Sequence, residues 1–407
     1  MDLLQYVLMT KKNFSLRLPK GRDIWIQSSM LALAGIGILM TVSASMTTNV
    51  VSFELLQQVL KQLFFVTLGY SSYFVLSKYI PVTRLKKIMS TIMILSIILL
   101  FIPLLESARN GAQAWITLPG GITLQPSEFI KLVVIVVNSV YLGDLKVRKK
   151  DFSQIVQYPL GYLALVTIII VFIQKDLGSG VVVFLIGIST YMLAGHNKLK
   201  RSQYWLIGLM FVGIFALPLL LTSGGISWIE STGILKGYML NRFKVVINPF
   251  EDLYGSGYQL VNGMVAMVRG GLFGVGYGNG LQKYGYLPAA KTDYILAVIG
   301  EEMGFVGILI VFVLFFIIIF RLINHTFKAK SEKNRIILFG VMMYVSLHFI
   351  LNVGGVTGLI PLTGVPLLLL SAGGSSTLSV MMALGMAQFV IVEESKLLLS
   401  KEEKDTR

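Results

Sequence analysis

The chain has 407 residues, 55% hydrophobic and only 14% charged, with a formal charge of +15 and no cysteine. A soluble domain carries about 25% charged residues. The mean hydropathy of +0.76 and the apolar runs of about 20 residues along the whole length therefore exclude the soluble classes and give a polytopic membrane protein. Disulfides and thiolate metal sites are excluded, and His196, His325 and His348 are too scattered to form an HExxH-like pair.

In chain order, the apolar periodicity predicts an all-α protein with ten transmembrane helices, in windows 24–46, 57–77, 85–105, 124–143, 157–174, 177–195, 203–223, 293–320, 334–353 and 375–393. Basic clusters precede the first window and follow every second one. They are Lys11, Lys12, Arg17, Lys20 and Arg22; Lys78, Arg84, Lys86 and Lys87; and Lys146, Arg148, Lys149 and Lys150. The remainder are Lys198, Lys200 and Arg201; Arg321, Lys328, Lys330, Lys333 and Arg335; and Lys396, Lys401, Lys404 and Arg407. Charge in short loops orients a chain in a bilayer, which places both termini in the cytoplasm and argues against nucleic-acid binding. The first window follows a polar segment and lacks an A-x-A site, so it reads as an uncleaved anchor. The expected organisation is a cytoplasmic segment 1–23, a membrane domain 24–395 and a charged cytoplasmic tail 396–407.

One outer connection is long. Thr222 to Thr292, between the seventh and eighth windows, is an extracellular loop of about 70 residues, too long to be structureless. Within it "GILKGYMLNRFKVVINPF" predicts an amphipathic helix in the outer interface. Met239, Phe243, Val246 and Ile247 fall on one face, Lys236, Arg242 and Lys244 elsewhere, and Asn248-Pro249 ends it. The run "GGLFGVGYGNG" follows no strand, so close backbone packing explains its glycines better than a nucleotide loop does.

A few ionisable groups remain at or inside the windows, where an unpaired charge is costly. Glu128 and Lys131 share a helix face three residues apart and read as a structural ion pair. Lys175 and Asp176 fall in a tight outer turn. Asp293, Glu301 and Glu302 open the eighth window, the two glutamates about 12 Å further in. Being adjacent, the glutamates cannot face the same way, and one is expected to meet a basic partner in the bundle. Thr292-Asp293 fits a helix N-terminus as well as it fits a catalytic acid.

Four separated segments then carry a resemblance. "NGAQAWITLPGGITLQPSEFIKL" is similar to GARRWI…QPSEFxKL, and "QKDLGSG" to QPDLGT. The stretch from "NPFEDLYGSGYQL" to "PAAKTDYILAVIGEEMGFVG" is similar to a long outer loop followed by PExHTDFIFAVIGEExGFxG. "GLIPLTGVPLLLLSAGGSS" is similar to LPxTGxPLPxxSYGGSS. In this order the chain resembles the SEDS family (shape, elongation, division and sporulation: FtsW, RodA and SpoVE), leaning towards FtsW.

The resemblance implies a peptidoglycan glycosyltransferase of the bacterial cytoplasmic membrane. It would polymerise lipid II, the undecaprenyl-pyrophosphate-linked disaccharide peptide, at the outer face, with a class B penicillin-binding protein and other divisome or elongasome membrane proteins as partners. No cofactor is implied with certainty, and a divalent cation, Mg or Mn, is left open. Carried over residue by residue, Asp293 is the general base. Trp115, Arg242, Lys244, Arg269, Lys283 and Lys291 would line the substrate path or hold pyrophosphate, while Glu128, Lys131, Asp176, Glu301 and Glu302 would be polar cavity or structural positions. Ala289 and Lys291 stand where the family has Glu and His, Lys175 where it has Pro, and Ala372 where it has Tyr. A lipid II flippase and a non-catalytic scaffold are the alternatives.

Overall fold

The computed structural model describes residues 17–46, 52–79, 82–108, 111–119, 121–143, 152–220, 222–232 and 238–405. Lys11, Lys12, Lys146, Arg148, Lys149, Lys150, Lys236 and Arg407 lie outside them. A helix occupies each expected window: α1 Ile24–Ser43, α2 Ser52–Tyr79, α3 Val82–Phe101, α4 Pro126–Leu142, α5 Phe152–Ile168, α6 Leu177–Met192 and α7 Lys200–Leu220. The long loop adds α8 Ser223–Thr232, α9 Tyr238–Ile247 and α10 Tyr258–Gly270, and the chain closes with α11 Ile295–Lys328, α12 Glu332–Val356 and α13 Gly374–Asp405.

Seven of the described helices are long and apolar enough to cross a membrane. Helices α4 and α6 are only 17 and 16 residues long. That is about 25 Å, less than the roughly 30 Å of a hydrocarbon core.

The all-α expectation needs one correction. Ile116–Leu118 and Ile122–Leu124 form an antiparallel hairpin, β1–β2, in which Thr117 faces Thr123. Its sequence "ITLPGGITL" carries the signal, since two triplets that each begin with β-branched Ile-Thr flank the residues Pro-Gly-Gly. The hairpin is pinned where α4 and α13 begin: the Gln125 N–H donates to Ser375 Oγ at 2.9 Å, and Ser375 Oγ donates to the Thr123 carbonyl.

The central core joins α1, α11, α12 and α13, with Ile26, Met30, Phe315, Tyr344 and Leu384 buried. A second cluster joins α3, α4, α5 and α6. Two polar clamps fix α1 against α11. At one end Asp23 caps α1 and accepts hydrogen bonds from Arg321 Nε (2.6 Å) and His325 Nε2 (2.7 Å). Burial alone would raise this carboxyl, but His325 and Arg321 hold it down at about 2. At the other end Ser43 donates to Glu302 at 2.6 Å.

The long loop between α7 and α11 is not confined to the surface. Helix α10 runs parallel to the start of α11, with Gly263 against the Tyr294 ring and Gly270 against the Gly300 carbonyl. A Cβ on Gly270 would stand 1.8 Å from that oxygen, so only glycine permits the approach. The following glycine run then docks on a break in α11. Gly304 is non-helical (φ 69°), the Val275 and Gly276 N–H groups donate to the Glu301 and Glu302 carbonyls, and the Phe305 N–H donates to the Gly271 carbonyl.

Candidate active site

Asp293 sits one residue ahead of the α11 N-cap, at the meeting point of three segments. Asn352, near the end of α12, donates from Nδ2 to the Asp293 carbonyl (2.9 Å) and to the Val365 carbonyl (3.0 Å). Ser371 donates to the Thr292 carbonyl at 2.7 Å, and the Ala372 N–H donates to the Lys291 carbonyl at 2.8 Å. Because this last bond uses backbone only, it tolerates Ala372 where the family motif has Tyr. From the third side α9 brings Arg242, which donates to the Leu362 carbonyl.

Gly364 marks where acid and cation converge. Its φ of +73° belongs to the left-handed region, and its Cβ position lies 3.6 Å from Arg242 Nη2 and 3.9 Å from Asp293 Oδ2. An added Cβ would make only ordinary contact with both groups, so the case for glycine here is its backbone conformation.

Thr292 and Asp293 do not cap α11, because the N-cap is Tyr294 and carries no side-chain bond. The protonation state of Asp293 therefore does not depend on a cap. Burial pushes its carboxyl up to about 6, and Arg242 opposes the rise. A half-buried carboxylate titrating near 6 is mostly ionised at neutral pH and basic enough to take a proton. Beside it a cavity of about 320 Å³ lies between α9, the start of α10, Tyr294 and the loop after α12, with Arg242 in its wall.

The remaining cations separate on inspection. Lys283 is buried and bound to Glu302 Oε1 (2.7 Å), Ser43 Oγ and the Gly278 carbonyl, so it is committed to structure rather than to pyrophosphate. Arg269 lies 3.5 Å from Glu301, and Lys244 pairs with Glu230 on the exposed side of α9. Lys291 is exposed one residue from Thr292. Only Arg242 and Lys291 flank Asp293, through space and along the chain respectively.

Both glutamates, rather than one, find basic partners. Glu301 also accepts from the Leu281 and Gln282 N–H groups, and Glu302 from that of Gly278. They tie the re-entrant glycine run to α11 and α1. Asp176 caps α6 through the Ser179 N–H and accepts from Gln125 Nε2, so it fastens α4 to α6 rather than lining the cavity. Trp115 is half-buried just ahead of β1, held at the sheet edge where the Gln113 N–H donates to the Gln174 carbonyl.

Glu128 and Lys131 form the expected ion pair at 2.6 Å, inside a larger network. Lys131 Nζ also donates to His348 Nε2 (2.8 Å), and Tyr344 donates to Glu128 (2.9 Å). His348 Nδ1 faces the Pro366 carbonyl, which can only accept, so Nδ1 carries the hydrogen and Nε2 receives from lysine. Through Pro366 this network steadies the same loop that Asn352 ties to Asp293. Sequence reasoning missed Asn352 and His348. An amide and an imidazole in an apolar run were the available signal, since each needs a buried partner. Among the described residues no three acidic or histidine side chains converge as a metal site would require.

The sequence model of the FtsW/RodA/SpoVE cell cycle proteins matches residues 24–396. The chain belongs to the FtsW/RodA/SpoVE family. A relative from Wigglesworthia glossinidia brevipalpis, named probable peptidoglycan glycosyltransferase FtsW, is 31% identical and covers 87% of this chain and 89% of its own. Stage V sporulation protein E of Bacillus subtilis is also 31% identical, over 89% of this chain and 95% of its own. Among solved structures, a chain of a peptidoglycan synthase complex that coordinates polymerization and crosslinking superposes with a TM-score of 0.68 at 23% identity. It covers 92% of this chain and 99% of its own, a likeness of fold. The predominantly helical fold described above is thus that of an FtsW/RodA/SpoVE-family protein.

Proposed function

We propose that this chain is a peptidoglycan glycosyltransferase that polymerises lipid II at the outer face of the bacterial cytoplasmic membrane, for division or cell-shape growth. The observation that carries the proposal is the Asp293 carboxylate, held near pH 6 beside Arg242 at the edge of a cavity. In this reading ten helices span the membrane with both termini inside, and the long loop with α9 and α10 builds the outer site. A class B penicillin-binding protein that cross-links the product is the expected partner, in line with the crosslinking complex that contains the superposed chain.

The donor sugar is α-linked to pyrophosphate and the product is β-1,4, so one displacement with inversion suffices. Asp293 removes the proton of the incoming 4-hydroxyl as its oxygen attacks the anomeric carbon. Lipid pyrophosphate leaves with the bonding electrons and needs cations more than an acid, which Arg242 and Lys291 supply. A flippase would keep its charges facing a path across the bilayer. Glu301 and Glu302 are instead buried in ion pairs and backbone bonds, which favours the enzyme.

The test uses purified protein with its cognate transpeptidase, reconstituted with labelled lipid II. Polymer from the wild type and none from Asp293→Ala is the expected outcome. Undiminished polymer from the variant removes Asp293 from the mechanism, and none from a folded, partnered wild type returns the choice to transport or scaffolding.

A further inference from the structure

We infer that Asn352 is a positioning residue of the proposed reaction: one amide, bonded to the Asp293 and Val365 carbonyls, sets the spacing between the Asp293 carboxylate and Arg242. This rests on the polymerase reading above. The loop after α12 contains Pro361 and Pro366, and proline keeps that stretch out of helix. Its carbonyls therefore need partners from elsewhere in the fold. Side chains meet three of them. Arg242 donates to the Leu362 carbonyl, Asn352 Nδ2 to that of Val365 (3.0 Å) and His348 Nδ1 to that of Pro366 (3.1 Å).

Asn352 differs from the other two in what else it holds. Its Nδ2 also donates to the Asp293 carbonyl at 2.9 Å, and the residue is buried. An amide nitrogen carries two hydrogens, enough for both carbonyls at once, whereas a hydroxyl carries one. One short stretch of loop thus holds Arg242 at Leu362 and Asp293 at Val365. Gly364 lies between them, its Cβ position 3.6 Å from Arg242 Nη2 and 3.9 Å from Asp293 Oδ2. The other ties of this segment run from Ser371 to the Thr292 carbonyl and from the Ala372 N–H to that of Lys291. They keep the segment docked when Asn352 is removed, so its loss displaces the acid rather than the fold.

Among the described residues, the ionisable groups facing Asp293 are Arg242 of α9 and its chain neighbour Tyr294. Helix α12 contributes His348, bound to Lys131 and Pro366, and α10 places Arg269 at Glu301. Residues 357–373 carry no charged side chain. The interaction under the control of Asn352 is therefore the attraction of Arg242 for Asp293, which opposes the upward push of burial. Releasing the Asp293 carbonyl lets the carboxylate drift from its cation. The acid then titrates higher and also stands out of line with the incoming hydroxyl. Misplacement by about 1 Å costs about 100-fold in rate. Asn352 touches no reacting atom, and the proton transfer stays with Asp293.

The experiment records the pH dependence of kcat/KM on lipid II for the full chain with its partner transpeptidase in lipid vesicles. Asn352→Ala is expected to lower the rate at pH 7 by about 10- to 100-fold. The loss falls on kcat and kcat/KM alike, because the amide bonds backbone and not substrate. The pH–rate midpoint moves upward by about half a unit or more. Asn352→Ser, which keeps one donor, moves it less, and it carries the test if the alanine variant does not fold. Val345→Ala, a buried truncation two turns earlier on α12, lowers the unfolding temperature and leaves the pH–rate midpoint in place. Independent sites add their effects, whereas sites acting through one contact do not. In an Arg242→Ala background, Asn352→Ala should therefore move the midpoint no further. An unmoved midpoint in the Asn352 variants, an equal shift in Val345→Ala, or a full further shift on top of Arg242→Ala overturns the positioning role while leaving the polymerase intact. No polymer from wild type overturns the polymerase reading and the positioning role with it.

Discussion

Asp293 and Glu302 lie nine residues apart on either side of the first turns of α11, and the chain treats the two carboxylates in opposite ways. Glu302 is buried and fully provided for by Lys283, Ser43 and the Gly278 N–H. Asp293 is half-buried, and the groups bonded around it are its own backbone and that of its neighbours. The first arrangement is rigid and spends its charge on holding the re-entrant run in place. The second leaves a carboxylate whose titration is raised and which shares the space beside Gly364 with Arg242. In the proposed mechanism the first carboxylate is structure and the second does the chemistry.

The sharpest way to break this comparison is Asp293→Asn, which keeps shape and removes basicity. Polymerisation should fall about 10²–10⁴-fold, the usual contribution of a positioned base, with the fold intact. A rate within tenfold of wild type would make Asp293 a second structural acid. Next in size is Lys283→Ala. Removing one partner of a buried pair strands the other charge, which costs about 3–5 kcal/mol. Thermal unfolding in detergent should show a large loss that Lys283→Ala/Glu302→Ala partly restores. No loss in the single variant would mean that Glu302 is not dependent on its lysine.

The pH dependence sharpens the same contrast. With Asp293 titrating near 6, the ionised fraction falls about tenfold between pH 7 and pH 5, and kcat/KM should follow it. The stability effect has the opposite sense. A carboxyl raised above its unfolded value of about 3.9 binds its proton more tightly when folded. Its contribution to stability is full below about pH 4 and is lost as pH rises through about 6. Asp293→Asn should therefore unfold at a higher temperature than wild type at pH 7, as expected of a group held for function at some cost to the fold. Equal midpoints at pH 7 together with an unchanged pH–rate profile would remove the raised titration.

The helical architecture was legible because apolar runs of membrane length are a strong local signal, and each expected window holds a helix. Asp293 was also legible, as an acid at the mouth of such a run. The division of labour among the cations of the long loop was not. Lys283, Arg269 and Lys244 look alike in sequence, and only the folding of the glycine run onto the Gly304 break sends Lys283 into the core. Glycine permits that approach without specifying it, so the re-entrant path depends on contacts between residues far apart in the chain. The same holds for Asn352, whose role exists only because the loop after α12 returns to the start of α11.

The smallest expected effect is a control on these cations. Lys244 and Arg242 sit two residues apart on α9, hence about 200° apart around its axis. Arg242 faces the loop at Leu362, whereas Lys244 pairs with Glu230 across an exposed surface. Exposed pairs contribute about 0.2–1 kcal/mol. Lys244→Ala should leave polymerisation within about twofold and lower the unfolding midpoint by a degree or two at most. Arg242→Ala should cut the rate far more and move the pH–rate midpoint upward, because Arg242 opposes the burial that raises Asp293. Equal losses from the two variants would mean that the helix face, and with it the placement of Arg242 against Asp293, has been misread.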